Sequence, residues 1–470
     1  MSAEWDSLPL LPLRCILDHL SVENALAATS TCRHWRQAML LYEGKRETLK
    51  LKAKQLEKNL FLTRLFRKHT NNLHIYIDCS EDQLNKFMSF VLPQFFDAKD
   101  LQEVVFIGPI YMQQNPLVQF AKLKRIITES LVYKHSHIMQ KLAIMGCEVA
   151  SVKNDKDRFV HKQVEYYSKP LSFECVTSPA DAILSRCNVE AMMFSTLKHI
   201  IFEYELVTTE ALETLSHLSN LSQLTLNLVF KRQMSLHAVD WHRVNAGFGK
   251  GLGVAVNIIN LPHRRFKAVM DNVFVEGMSL ISLKVMFCKT IYIPLISHVC
   301  CLYNSTLKEL VWADCPHDGA ECARTVKSSE EEVLLSEVYN QVNPFVLLCW
   351  QCVNLRRLAI HGYWIWQYDL LGFVRLRKSL RVEISSLFAN QGRFGSRSRD
   401  GECALRVMRY DTPASVDSKY VQEVNNFSDR EWQPFPWRRL PAGLRSHSSA
   451  EQRADYIITE VLKPLGVTST

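Results

Sequence analysis

A short phrase returns along this chain: an apolar residue, two others, an apolar residue, one other, an apolar residue. It stands as Leu101-x-x-Val104-x-Phe106, Leu197-x-x-Ile200-x-Phe202, Leu221-x-x-Leu224-x-Leu226, Leu280-x-x-Leu283-x-Val285, Leu307-x-x-Leu310-x-Trp312 and Leu355-x-x-Leu358-x-Ile360. Looser copies lie at Leu73-x-Ile75-x-Ile77, Leu142-x-Ile144 and Leu380-x-Val382-x-Ile384. Successive starts differ by 24 from Leu197 to Leu221, by 27 from Leu280 to Leu307, and by 48, two periods of 24, from Leu307 to Leu355. A period of this size marks a stacked array, because one unit cannot bury its own apolar face and borrows its neighbours for the purpose. Two gaps, 101 to 197 and 221 to 280, exceed one period and hide poor repeats or insertions.

Leucine-rich repeats have this phrase and a period of about 20 to 29 residues, each contributing a short strand and a helical or irregular return. The expected fold class is therefore α/β: a degenerate leucine-rich-repeat-like solenoid over residues 70–390, its leucines in one core and the residues between them on a concave side. Helical returns fit Thr209–Leu215 and Pro344–Trp350. The asparagine ladder typical of the repeat is mostly missing. The alternative is an unrelated α/β domain with several buried strands. A chain of 470 residues with 47% hydrophobic residues has enough apolar content to fill such a core.

The first forty residues obey a different rule. Leu13, Ile16, Leu17 and Leu20 stand at the i, i+3, i+4, i+7 spacing of one helical stripe, with Pro12 in the first turn. Ser21 can cap a second short helix through Ala25–Ala28, and Thr31 a third carrying Trp35, Ala38 and Met39. Leu8-Pro9, Ile16, Leu20 and the closing Cys32-x-x-Trp35 resemble the F-box family at its fixed points. Leu10-Leu11 replace the usual acidic pair, and Ala25 and Thr31 stand where Leu and Val are common. The resemblance implies a three-helix F-box over residues 5–42, with Leu8, Pro9, Leu13, Ile16, Leu17, Leu20, Cys32 and Trp35 binding the adaptor S-phase kinase-associated protein 1. Cullin and RING subunits of a ubiquitin ligase are reached through that adaptor. Residues 344–376 resemble the C-terminal region of a member of the same family, and the resemblance as a whole implies a substrate-recognition subunit with no catalysis of its own. The rival readings are a repeat scaffold working outside a ligase and a nucleic-acid-associated protein.

Between these parts, residues 43–69 read as a basic helical linker whose lysines and arginines line a wet face. A net charge of +8 permits an acidic or nucleic-acid partner without demanding one, and nucleic acid is disfavoured. The target surface is expected near Arg356, Arg357, Tyr363, Trp364 and Trp366, where guanidinium groups could pair with an acidic or phosphorylated target. The competing reading puts Trp364 and Trp366 in the core. Residues 391–470 read as a flexible insertion and a C-terminal cap or tail, with a last helix near Ala450–Leu465.

Candidate chemistry is thin. Cys349-Trp350-Gln351-Cys352 has C-x-x-C spacing but no second half at finger distance, so a buried pair is expected. Cys315, His317, Asp318 and Cys322 sit in a polar stretch, and Gly247 to Gly253 lacks the Lys-Ser/Thr ending of a phosphate loop. No metal and no cofactor is called for. Scattered cysteines without a disulfide framework, no signal segment and no long apolar run point to reduced thiols in the cytosol or nucleus and to no membrane partner.

Overall fold

The computed structural model describes residues 5–41, 48–108, 111, 131–146, 194–316, 343–389, 406–409, 418–433 and 439–464, except 21–23, 25–26, 68–69, 80, 133, 205–206, 231–235, 250 and 364. The chain divides into two compact units: Met1–Ser151, Leu171–Ile201 and His217–Leu221 in one, and Val152–Pro170, Phe202–Ser216 and Ser222–Thr470 in the other.

The first unit opens with helix α1 (Leu10–His19), entered through Pro9 in an extended conformation. Its partner α2 (Arg33–Leu41) begins at Cys32, whose Sγ accepts the Trp35 backbone N–H at 3.4 Å. Cys32 rather than Thr31 therefore caps this helix, while the Thr31 hydroxyl turns back and donates to the Ala28 carbonyl. The second short helix expected from Ala25–Ala28 lies mostly outside the described residues. Next come β1 (Thr48–Lys52), α3 (Leu56–Phe66), β2 (Asn72–Tyr76), α4 (Glu81–Phe90), β3 (Glu103–Ile107), β4 (Lys141–Met145) and β5 (His199–Glu203). Each strand pairs in parallel with the next, and one apolar rank runs Leu49, Leu73, Val104, Leu142, Ile200 straight across them.

The basic linker is thus not all helical: β1 occupies residues 48–52 as a member of the sheet. Leu49 and Leu51 are buried and Lys50 between them is exposed, so the lysines there mark a strand's alternation, not a helix face.

The second unit repeats the plan with α5 (Thr209–Leu215), β6 (Gln223–Val229), α6 (Trp241–Gly247), β7 (Gly253–Ile259), α7 (Phe266–Val273), β8 (Leu280–Met286), α8 (Ile293–Tyr303), β9 (Glu309–Ala313), α9 (Pro344–Gln351) and β10 (Arg357–His361). The two-residue β11 (Ile365–Trp366) and α10 (Gln367–Leu376) then lead to β12 (Arg381–Ile384). Strands β6 to β10 and β12 lie in chain order, all parallel, with Leu226, Val256, Leu283, Leu310, Leu358 and Val382 in register. Parallel strands in strict chain order, with a helix between β1 and β2, between β2 and β3 and between each pair from β6 to β10, make each unit solenoid-like. The gap from 221 to 280 holds β7, whose Val254, Val256 and Ile258 are buried but whose first position is Gly253.

A second regularity has no signature in the phrase. The residue directly after β4, β7, β8 and β10 has positive φ: Gly146 (62°), Asn260 (55°), Phe287 (57°) and Gly362 (80°). The chain leaves the sheet there through the left-handed region, which glycine and asparagine enter readily and phenylalanine does not.

The residues between the leucines do not face an open concavity. Asn227, Asn257, Lys284, Val311, Ala359 and His361 are all buried. In the second unit a late helix, α12, lies on this face. Before it come β13 (Ser386–Ala389) and β14 (Arg406–Arg409), which join β11 in a small separate sheet, and α11 (Ser418–Phe427). Helix α12 (Ala450–Leu462) starts at a capping box in which Ser449 and Gln452 exchange side-chain and backbone hydrogen bonds. It sets the Tyr456 ring edge-on to Phe287 at 5.9 Å and brings the Glu460 carbonyl within 2.6 Å of Lys284 Nζ. The expected C-terminal tail is therefore ordered helix and strand at 406–409, 418–427 and 450–462. Its last helix covers strands β8 to β10 instead of capping the end of the array.

Candidate functional site

Apolar side chains at helical spacing make the N-terminal pair. Leu13 and Leu17 are wholly buried and hold α1 down, while Ile16, Leu20, Leu8, Cys32 and Trp35 are half-buried and Pro9 is exposed. Two hydrogen bonds tie the entry segment to α2: Trp35 Nε1 donates to the Trp5 carbonyl at 2.7 Å, and His34 Nε2 lies 2.6 Å from the Leu8 carbonyl oxygen. Cys32 and Trp35 thus shape the module from within. Leu13 and Leu17, expected at the adaptor interface, cannot touch a partner, because the stripe they share faces inward. The accessible apolar edge is instead Trp5, Pro9, Leu10 and Leu11, with Leu11 73% exposed. The signal was in the sequence as Leu11, which lies off the stripe of Leu13 and Leu17 in the first turn.

The residues expected to meet a target separate in the second unit. Arg356 is exposed. Arg357 is half-buried among carboxylates: Nη1 is 2.6 Å from Glu309 Oε1, Nη2 3.1 Å from Glu383 Oε2, and Glu460 also accepts from Nη1. Lys284 Nζ lies 3.4 Å from both Glu309 and Glu460. Burial alone would raise the Glu460 carboxyl, but Lys284 and Arg357 outweigh it and hold the group at about 2. Between β9, β12 and α12 Arg357 spends four of its five N–H donors on Glu309, Glu383 and Glu460, so it serves the cluster and not a target.

Tyr363 is buried as well and donates its hydroxyl to Asp314, whose carboxyl burial pushes up to about 7. Trp364 lies outside the described residues. Trp366 is half-buried, its ring 6.0 Å from the exposed Tyr368. The four described members of the expected target set do not form one surface.

The other motifs resolve into structure. Cys349 and Cys352 are buried, Cys352 shares a side-chain hydrogen bond with Cys300 of α8, and burial raises the Cys349 thiol. Gly247 ends α6 and Gly253 starts β7, so the glycine run is a helix-to-strand connection; Lys250 lies outside the described residues. Cys315 Sγ is 3.2 Å from the Gly443 carbonyl and 3.1 Å from Ser448 Oγ, while His317, Asp318 and Cys322 lie outside the described residues. Among the described residues no three His, Cys, Asp or Glu side chains gather as a metal site, and no helix is long and apolar enough to cross a membrane.

With that geometry in view, residues 5–42 match the family model of the F-box domain. The N-terminal module is an F-box domain. Two curated relatives carry the same likeness: F-box only protein 33 of mouse and of human, each 40% identical over 70 residues. The match covers 14% of this chain and 12% of each relative, so it spans about an eighth of their length. Among solved structures, the crystal structure of a TLR13–ssRNA13 complex covers 73% of this chain and 46% of that one at 12% identity, with a TM-score of 0.26.

Proposed function

We propose that the chain is the receptor subunit of an SCF-type ubiquitin ligase. The F-box docks on S-phase kinase-associated protein 1, cullin and RING subunits join through that adaptor, and the leucine-rich-repeat-like body presents a target for ubiquitination and proteasomal degradation. The observation that supports this best is the F-box at residues 5–42 with its exposed apolar edge of Trp5, Pro9, Leu10 and Leu11. Each such side chain contributes about 1.5 to 3 kcal/mol when buried against a partner. The chain's part in rate is proximity: a target lysine held near the charged conjugating enzyme reacts as if in one molecule, without acid–base work by this chain. Its place is the cytosol or nucleus, where adaptor and cullin meet.

Affinity purification of the intact chain, with proteolysis blocked, tests the reading. Adaptor, cullin and RING subunits should all be recovered, and Leu11→Glu should lose all three together. Recovery of the adaptor without cullin or RING would make the chain a scaffold outside a ligase.

A further inference from the structure

The outer helices of the second unit carry an apolar ridge with no exposed carboxylate on its own segments. On α9, Leu347 and Trp350 lie one turn apart, and Val353 continues their line into the turn beyond; they are 39%, 62% and 61% exposed. The backbone beneath is fixed. Arg377 donates to the carbonyls of Trp350 at 2.8 Å and Cys352 at 3.2 Å, placing a guanidinium on the open C-terminal end of α9. Helices α8 and α10 pack on either side.

Charge on the ridge's own segments is one-sided, while α11 and the turn after it add Glu423, paired with Arg375, and Asp429, whose N–H donates to the Lys378 carbonyl at 2.9 Å. Residues 290–308 and 343–381 contain a single carboxylate, Asp369, which is buried and accepts from Asn343 Nδ2 at 2.9 Å. The same segments carry Lys308, Arg356, Arg375, Arg377, Lys378 and Arg381 besides the half-buried Arg357. Arg375 is paired with Glu423 and Arg381 with Glu383. Lys308, Arg356 and Lys378 are exposed and have no ion pair among the described residues. Lys308 and Arg356 stand side by side, since the Arg356 N–H donates to the Lys308 carbonyl at 2.8 Å.

From this juxtaposition we infer that the α9 ridge is the target-receiving surface of the second unit, and that its partner is an acidic peptide segment bearing bulky apolar side chains. Tryptophan and arginine carry a disproportionate share of interface energy, and uncompensated rim cations select the sign of the partner's charge. The sheet face over β8 to β10 is not available for the same purpose, because α12 covers it. The inference rests on the receptor reading only in calling the partner a target.

The test pans a displayed random peptide library against the intact chain. Enriched peptides should be net acidic and carry at least one aromatic or branched aliphatic residue. A synthetic peptide of the leading sequence should bind the wild type at least about tenfold more tightly than it binds Trp350→Ala or the Lys308→Glu/Arg356→Glu double variant, about 1.4 kcal/mol. Trp350→Phe should keep most of the affinity, and replacing the peptide's acids by amides should lose it. Thermal unfolding of each variant at the wild-type temperature confirms that these exposed substitutions leave the fold intact.

Enrichment of neutral or basic peptides, or affinity unmoved by both sets of variants, overturns the inference. So does a uridine oligomer that binds more tightly than the peptide and is lost in the same variants, which would make the ridge a nucleic-acid surface. Adaptor binding is measured on the same preparations and should be equal in all of them. If the wild type itself fails to bind adaptor while the peptide results hold, the receptor reading falls and the ridge assignment stands.

Discussion

Replacing Arg357 by methionine should destabilise the second unit by about 3 kcal/mol at neutral pH, and the deficit should shrink as the solution is acidified. The guanidinium lies among Glu309, Glu383 and Glu460, with side chains at 12%, 12% and 6% exposure. Methionine keeps most of the packing volume but leaves these carboxylates to Lys284, with Arg381 beside Glu383 and Lys463 beside Glu460. Removing one partner of a buried ion pair costs about 3 to 5 kcal/mol. Glu460 supplies a ceiling for its own share: holding its carboxyl at about 2 against an ordinary 4.5 corresponds to about 3 kcal/mol, of which Lys284, the largest attraction, keeps a part when Arg357 is gone.

The sign of the pH effect comes from the same group. A depressed carboxyl gives stability that is complete above its unfolded value and is lost as pH falls towards its folded one. In the wild type this contribution therefore persists down to about pH 4.5. Without Arg357 the buried carboxylates are raised, and the folded variant takes up protons at mildly acidic pH, recovering part of its loss. Urea unfolding, monitored by fluorescence of the buried Trp241 and Trp312 in this unit, reads both quantities. A loss under about 1 kcal/mol at pH 7, or a deficit that is the same at about pH 7 and pH 5, would refute the account of α12 as a helix anchored by buried charge.

The remaining predictions concern single groups. Gly362 has φ of 80°, and an added Cβ would lie 2.2 Å from the Asp314 carbonyl oxygen, so Gly362→Ala should cost at least about 3 kcal/mol in thermal unfolding. Gly249→Ala, with nothing within 4 Å, should be nearly neutral. Burial holds the His361 imidazole at about 4 against its ordinary 6.5, so its contribution is full above pH 6.5 and lost as pH falls to about 4; His361→Gln should flatten the melting temperature across that window. Ser449→Ala removes one half of the α12 capping box and should cost about 1 kcal/mol by urea unfolding.

The recurring phrase is a strand at each of its copies, because a leucine whose neighbours at three and five positions on are buried leaves the same mark whatever the return between strands. Strand β1 escaped because its outward positions are lysines within a longer run of charge, and β7 because Gly251 stands where the first leucine of the phrase would, with valines at the other two places. The left-handed position after β4, β7, β8 and β10 was invisible at Phe287, where packing against Tyr456 accompanies a conformation the residue does not favour.

At the candidate sites, residue type was legible and direction was not. Arg357 and Arg356 are neighbours in sequence, yet strand alternation turns one into the buried cluster and leaves the other in solvent. That difference depends on α12, more than ninety residues further along the chain. Leu13 and Leu17 matched the F-box spacing for the reason that they build the module, whereas the surface left for docking is the Leu10-Leu11 pair that departs from the usual acidic residues.

Titration of the purified intact chain with purified S-phase kinase-associated protein 1, read by calorimetry and by the mass of the complex in solution, tests the central claim most directly. A one-to-one complex should form, and Leu11→Glu should weaken it at least about a hundredfold, near 2.7 kcal/mol, without changing the chain's melting temperature. No complex with the wild type, or a Leu11→Glu chain that binds as tightly as the wild type, would contradict the F-box docking on which the proposed function stands.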